Sequence, residues 1–373
     1  MSRFHELRVN TIDRETPEAV SVGFEVPEEL KEDFKYTAGQ YLTLEKNIAG
    51  KSFRRSYSIC SPPESGTLKV AVKEIADGRF SSWVNKRLKI GDKLNVFLPE
   101  GRFVFEPKHS EESKAYIAFS AGSGITPVMA ILQSVLQSEP NSKFVLVYGN
   151  KTPEDTIFYK DLIKLKDKYP ERFFVEFAYS RLKEEKSPLG FLKKKLFKKE
   201  TQDNTEPKPI YGRIKSETAD FVLKDKYKDL DFKEFYLCGP NAMIKTISKS
   251  LKDHGVSEDK IHFELFITED EVVEVEKLGT GKTEITVILD DEELTFEMDR
   301  QERVLDAIMD QGMDPPYSCQ GGICSSCMAQ VEEGETTMAN NQILTEREVK
   351  SGLVLTCQAH PTTPKLTVNY DDV

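Results

Sequence analysis

Cys319, Cys324 and Cys327 follow one another as C-x4-C-x2-C, and Cys357 lies thirty residues further on. Three thiols crowded on one loop with a solitary fourth is the spacing that holds a [2Fe–2S] cluster, a centre that moves one electron at a time. Gly321 and Gly322 let the backbone wrap closely round an inorganic core with its amides turned toward sulfur. Four thiolates also suit zinc, but structural zinc sites usually pair their ligands as two short arms, which this spacing lacks. The start Met-Ser-Arg carries no apolar stretch. No secretory leader and no disulfide framework are therefore expected, and the expected compartment is the reducing cytoplasm.

Four further motifs could do chemistry with the cluster. Arg54, Arg55, Ser56, Tyr57 and Ser58 stand where a strand is expected to begin. A flavin needs a cation for its pyrophosphate, an aromatic for its ring face and a hydroxyl near its reactive nitrogen, and R-x-Y-S supplies all three. Gly78, Arg79, Phe80, Ser81 and Ser82 follow, where Ser81 or Ser82 is expected to cap a helix whose first amides bind phosphate. The run Ala121, Gly122, Ser123, Gly124, Ile125, Thr126, Pro127 reads as a strand-to-helix turn. Its glycines permit a pyrophosphate to approach, Thr126 is placed to cap the helix and Pro127 fits the first turn. Cys238, Gly239 and Pro240 close a late strand, with Met243 on the next helix. A buried Cys there is most often a small apolar filler; at the carboxyl end of a parallel sheet it would instead line a nicotinamide pocket.

The elements that must position these groups divide into three parts. A chain of 373 residues should form two or three domains, each with ample core. Residues 1–108 alternate apolar and polar positions, as at 41–44, 68–72 and 94–98, which predicts a small antiparallel barrel. In 109–267 the apolar runs 116–119, 144–148, 173–178 and 235–238 are spaced by helical stretches, which predicts an α/β domain with a parallel sheet. Residues 183–209 interrupt it as a Lys-rich, then Thr/Asp/Pro-rich surface insertion. Its stretch 193–199, with Phe191, Leu192 and Leu196, reads as a solvated charge run rather than an amphipathic helix. An acidic tether at 268–281 leads into 282–373, where a strand pair at 284–289 and 294–298, a helix at 302–311 and the cysteine loop are expected. Thr345 and Glu348 are spaced as a capping box.

Charge is uneven along these parts. The net charge is −11, yet residues 282–373 hold 6 Lys/Arg against 18 Asp/Glu while the remainder holds 46 against 45. The acidic part keeps the protein soluble and is also expected to dock on a basic surface of a partner, where charge speeds encounter. Neither part supports nucleic-acid binding. No apolar run approaches the roughly 18 residues of a membrane span, so no membrane partner is expected.

The order R-x-Y-S, G-I-T-P, C-G-P, then C-x4-C-x2-C and the distant Cys resembles the ferredoxin–NADP⁺ reductase family, fused to a C-terminal plant-type ferredoxin, over nearly the whole chain. Stretches 53–60, 70–82 and 121–127 are most similar to the branch that serves phenylacetyl-CoA epoxidases. The resemblance implies a multidomain fold: a flavin-binding antiparallel β-barrel, a nucleotide-binding α/β domain and an α+β β-grasp ferredoxin domain. It implies that Arg55, Tyr57 and Ser58 hold the flavin ring and pyrophosphate. By the same likeness Val72 and Lys73 lie beside its adenosine, and Gly78, Ser81 and Ser82 bind its diphosphate. Gly122, Gly124 and Thr126 would bind the nicotinamide nucleotide, Cys238 would meet its reactive ring, and Glu264 and Phe266 would complete the flavin site. Ser58, Cys238 and Glu264 are thus the expected catalytic set. Ser180 and Arg181 match the position that grips a 2′-phosphate, which favours NADPH over NADH; the alternative for Arg181 is an ordinary solvent-facing side chain. The insertion at 183–209 departs from the family pattern, which connects this region more briefly.

The implied activity is an NAD(P)H-dependent oxidoreductase. Electrons run from NADPH to FAD, then to the [2Fe–2S] cluster and on to the oxygenase component of a phenylacetyl-CoA epoxidase. A reductase of another ring-hydroxylating, steroid or hydrocarbon monooxygenase has the same module order, FMN is the alternative flavin, and a redox carrier or sensor without turnover is the alternative class. Cofactors carry the hard steps; the protein binds and orients them.

Overall fold

The protein is seen here as a computed structural model that describes residues 4–107, 112–182, 209–266 and 280–373. The insertion at 183–209 and the tether at 268–281 fall outside the described residues, apart from Pro209, Thr280 and Gly281.

Six strands form the first part: β1 (Phe4–Thr16), β2 (Ala19–Glu25), β3 (Tyr41–Ile48), β4 (Lys51–Ser58), β5 (Leu68–Lys73) and β6 (Lys93–Phe97). They pair antiparallel in the order β4-β3-β6-β1-β2-β5, and a bridge from Ile59 to Val70 closes the sheet on itself. Closure leaves the alternate residues Leu42 and Leu44, Val70 and Val72, and Leu94 and Val96 inside one apolar core. Helix α1 (Arg79–Arg87) covers one opening with Phe80 and Val84 buried.

The second part is a parallel sheet of β7 (Ala115–Ala121), β8 (Lys143–Asn150), β9 (Phe173–Tyr179), β10 (Ile210–Tyr211), β11 (Phe232–Gly239) and β12 (Ile261–Leu265), in the order β10-β9-β8-β7-β11-β12. Near-continuous apolar runs are what a sheet covered on both faces requires. Helices α2 (Ile125–Ser138) and α3 (Tyr159–Lys168) pack on one face, and α4 (Ser216–Asp220) and α5 (Asn241–Asp253) on the other. The strand order reverses between β7 and β11, and such switch points are where open α/β sheets bind ligands. Ala38, Cys60, Phe103 and Phe105 of the barrel share one core with Tyr116, Ile131 and Cys238 of this part. The two domains therefore hold one orientation.

The third part is a β-grasp fold. Its strands β13 (Lys282–Leu289), β14 (Glu292–Asp299), β15 (Met328–Glu333), β17 (Leu353–Leu355) and β19 (Lys365–Asn369) run in the order β14-β13-β19-β15-β17. Strands β16 (Thr336–Met338) and β18 (Ala359–Pro361) pair separately. Helix α6 (Val304–Asp310) packs Val304, Ala307 and Ile308 on the sheet. The short α7 (Glu346–Lys350) begins with the expected capping box: Thr345 N–H donates to Glu348 Oε2 at 2.8 Å, and Glu348 N–H donates to Thr345 Oγ1 at 3.3 Å.

Candidate functional site

R-x-Y-S lies at the end of β4 rather than at its beginning. The two-residue turn at Ala49 and Gly50, both with positive φ, starts the strand at Lys51. Alternation then sends Tyr57 to the core side, where its half-buried ring stacks on Phe80 at 5.8 Å and 26°. Burial pushes the Tyr57 phenol above its ordinary range, so it stays neutral. Arg55 is exposed on the same strand. Val72 turns into the barrel core and its carbonyl accepts from Asn85 Nδ2 at 3.1 Å, leaving Lys73 as the half-exposed member of that pair.

Neither Ser81 nor Ser82 caps α1. The cap position is Gly78, with no side-chain bond to the first turn. Ser81 Oγ accepts from Ile75 N–H at 3.3 Å and donates to the Gly78 carbonyl, while Ser82 Oγ donates to Glu74 Oε1 at 2.9 Å. The first-turn amides of α1 thus have no side-chain cap, a cradle that fits a diphosphate.

Gly122 has φ +56° with no atom within 4 Å of where a Cβ would stand, so its turn is open to a ligand at the switch point. Tyr148 Oη holds the turn by donating to the Gly122 carbonyl at 2.9 Å. A Cβ on Gly124 would lie 2.2 Å from the Cys238 carbonyl oxygen. That contact binds the nucleotide turn to the C-G-P strand end. Helix α2 starts at Ile125 with Gly124 as its cap, and Thr126 Oγ1 bonds back to the Ser123 carbonyl at 3.0 Å. Thr126 is therefore a first-turn residue and not the cap; Pro127 does occupy the first turn. Ser180 and Arg181 lie exposed just past β9, with their amides donating to the carbonyls of Asn150 and Lys151 at 2.9 and 3.0 Å.

Cys238 and Glu264 are paired neighbours on the parallel strands β11 and β12. Cys238 is fully buried, and burial holds its thiol well above the usual range. Glu264 is also buried, and desolvation pushes its carboxyl up to about 8, against the downward pull of its bond to Ser58. Ser58 Oγ donates to Glu264 Oε2 at 2.9 Å across the domain boundary. Phe266 packs half-buried on the core shared by barrel and sheet. Ser58, Cys238 and Glu264, far apart in sequence, thus meet at one junction.

None of the six cysteines forms a disulfide, and four of them, Cys319, Cys324, Cys327 and Cys357, lie in the C-terminal part. Cys324 Sγ lies 3.1 Å from Cys319 Sγ, and Gly321 N–H points at Cys319 Sγ from 3.3 Å. Hydrogen bonds from Cys324 and then Cys357 draw the Cys319 thiol below its usual range. Among the described residues no three His, Cys, Asp or Glu side chains are gathered about a single-ion position. Four unpaired thiols with an amide aimed at sulfur fit an iron–sulfur core.

The polar contacts that seat this cysteine loop were not legible in the motifs. Arg54 forks onto Asp314, Nη1 to Oδ1 and Nη2 to Oδ2 both at 3.0 Å, while its Nε donates to Glu45 Oε2 at 2.6 Å. Its guanidinium lies 4.6 Å from the ring centres of both Phe4 and Tyr317. Ser56 Oγ bonds to Ser318 Oγ, and Tyr41 Oη to Ser326 Oγ at 2.8 Å. Asn241 Nδ2 donates to Gln342 Oε1 at 3.0 Å, and Arg102 pairs with Glu348. Period-two alternation along β4 was the available signal, since it puts Arg54 and Ser56 opposite Arg55 and Tyr57.

Comparison with known proteins matches three segments of the chain. Residues 6–105 match the oxidoreductase FAD-binding domain, 119–249 the oxidoreductase NAD-binding domain, and 287–362 the 2Fe-2S iron-sulfur cluster binding domain. The chain is 36% identical over 375 residues to a component of the 1,2-phenylacetyl-CoA epoxidase of Escherichia coli (strain K12), covering 100% of this chain and 99% of that protein. The chain belongs to the ferredoxin–NADP⁺ reductase family, in the branch with a C-terminal plant-type ferredoxin domain. It is an oxidoreductase with FAD, nicotinamide-nucleotide and [2Fe–2S] modules. The ferredoxin reductase component of 3-ketosteroid-9-alpha-monooxygenase from Rhodococcus rhodochrous is 31% identical over 379 residues, 99% of this chain and 97% of that protein. Phthalate dioxygenase reductase shares the fold, with a TM-score of 0.56 and 21% identity over 98% of each chain. An intact type IV self-sufficient cytochrome P450 monooxygenase aligns with a TM-score of 0.66 at 20% identity, over 98% of this chain and 41% of that one. Among the described residues no helix is long and apolar enough to cross a membrane.

Proposed function

We propose that this reductase takes electrons from NADPH and delivers them to the oxygenase component of a phenylacetyl-CoA epoxidase. The observation that carries the internal chemistry is the Ser58 hydroxyl bonded to Glu264 at a junction that also holds Cys238. A flavin held at this junction would supply hydride acceptance from the nicotinamide and one-electron release toward the cluster. Tyr57, backed by the buried Phe80, would offer the ring surface, Arg55 and the uncapped amides of α1 would hold the diphosphate, and Lys73 would lie beside the adenosine. Gly122, Gly124 and Thr126 seat the nicotinamide nucleotide over the switch point, and Cys238 walls its ring. Burial keeps the Glu264 carboxyl protonated near neutral pH, so it stores a proton one hydrogen bond from Ser58 Oγ. Phe266 keeps water from that junction. Cys319, Cys324, Cys327 and Cys357 hold the cluster.

Two finer assignments rest on separate observations. Arg181 stands exposed past β9 beside Ser180, where a guanidinium suits a 2′-phosphate and favours NADPH. The oxygenase assignment is supported by the likeness to the Escherichia coli epoxidase component along the full length of both chains. The acidic module, with 18 Asp/Glu against 6 Lys/Arg, suits a partner with a basic docking surface. The test is reconstitution: the purified reductase, NADPH and a phenylacetyl-CoA oxygenase component should together epoxidise phenylacetyl-CoA. Support of a 3-ketosteroid oxygenase instead, with no phenylacetyl-CoA turnover, would establish the second reading that the Rhodococcus relative favours.

A further inference from the structure

We infer that the outward face of the β3–β4 hairpin is the platform on which the cluster loop docks, and that Tyr41 positions this loop for electron uptake. The inference rests on the electron route proposed above and deepens it.

Strand β4 serves two modules because its alternate residues face opposite ways. Arg55 and Tyr57 belong to the flavin side. Arg54 and Ser56 turn outward and meet Asp314, Tyr317 and Ser318 at the entrance to the cysteine loop. On β3, Tyr41 is the cross-strand partner of Ser58. It meets the other end of the loop, 2.8 Å from Ser326 Oγ and 3.5 Å from Ser325 Oγ. The contacts thus bracket Cys319 and Cys324 and end beside Cys327.

Two of them adjoin a ligand, since Ser318 directly precedes Cys319, but Ser56 is only half-buried whereas both partners of the Tyr41 bond are buried. Ser326 directly precedes Cys327, and Tyr41 and Ser326 are 4% and 6% exposed, so their bond is shielded from water and salt. The Arg54 fork lies at the rim, against an Asp314 side chain that is 68% exposed, where screening weakens it. From Ser58 to Cys327 the connection is one strand pairing, one tyrosine side chain and one hydrogen bond. In each transfer one electron leaves the reduced flavin and enters the oxidised cluster. No bond forms or breaks, and Tyr41 is neither oxidised nor deprotonated. Tunnelling falls steeply with distance, so a loop held at one separation transfers faster than one that breathes.

The test uses the holoenzyme with Tyr41→Phe and, because either variant alone could fold poorly, Ser326→Ala. Flavin bleaching by NADPH in anaerobic stopped flow should match wild type, as should iron content. Transfer from flavin to cluster should slow about threefold or more, and hydrogen exchange of amides 320–328 in the oxidised enzyme should rise about 3- to 10-fold, as expected for one lost hydrogen bond. The double variant should transfer no more slowly than either single one, since both remove the same bond. Wild-type transfer in both single variants, or additive slowing in the double, overturns the assignment. If NADPH fails to bleach the flavin of the wild-type protein, the proposed electron route fails, while the exchange measurement still decides whether Tyr41 holds the loop.

Discussion

Ser58 Oγ donates to Glu264 Oε2 across 2.9 Å, and this bond ties the barrel strand that carries Tyr57 to the sheet strand paired with Cys238. A flavin ring gripped at Tyr57 and a nicotinamide walled by Cys238 would meet at this bond. Glu264 loses its proton near pH 8 in the folded protein instead of near 4.5. Because the folded value is raised, its contribution to stability is complete below 4.5 and is lost as pH rises through about 8. Glu264→Gln should remove that part of the pH dependence of unfolding. It should also slow flavin reduction by NADPH about 100-fold, the lower end for losing a positioned acid, and abolish the decline of rate above pH 8. Stopped-flow bleaching against pH, with Ser58→Ala in parallel, checks this; an unchanged profile in Glu264→Gln would remove Glu264 from the chemistry.

Nucleotide choice should follow Arg181. Loss of one charge-assisted contact to a phosphate corresponds to about 10- to 100-fold in binding. Arg181→Ala should therefore raise the KM for NADPH by that factor and leave the KM for NADH within about twofold, since NADH offers no such contact. Steady-state ferricyanide reduction with each nucleotide measures both. Equal changes for the two would mean that Arg181 is a solvent-facing residue.

Cys324→Ser should separate the two halves of the relay. Ferricyanide takes electrons at the flavin, so NADPH-to-ferricyanide activity should persist. Cytochrome c reduction should fall to background, because the cluster no longer assembles on three thiolates. Survival of both activities would place the exit elsewhere than at the cysteine loop.

Much of this organisation was legible in the residues. The apolar runs at 116–119, 144–148, 173–178 and 235–238 are all strands of the parallel sheet, because strands covered on both faces have little choice of composition. The departures from sequence expectation are local. Thr126 has the side chain of a cap, but Gly124 must lie flat against the Cys238 carbonyl, which starts the helix at Ile125 and turns the threonine hydroxyl back to Ser123. Ser81 and Ser82 also have the right side chains for caps, yet Glu74 and Ile75 engage them first. Less legible was the other face of β4. Arg54 and Ser56 announce no partner in sequence, since which module meets a strand's outward face depends on contacts between residues some 260 positions apart.

Anaerobic titration of the isolated holoprotein with NADPH, followed by visible absorbance and electron paramagnetic resonance, tests the relay most directly. The account predicts that NADPH bleaches the flavin and then raises the signal of a reduced [2Fe–2S] cluster, with both lost in cofactor-free protein. A protein without flavin or iron, or a cluster signal that dithionite raises and NADPH does not, would contradict it.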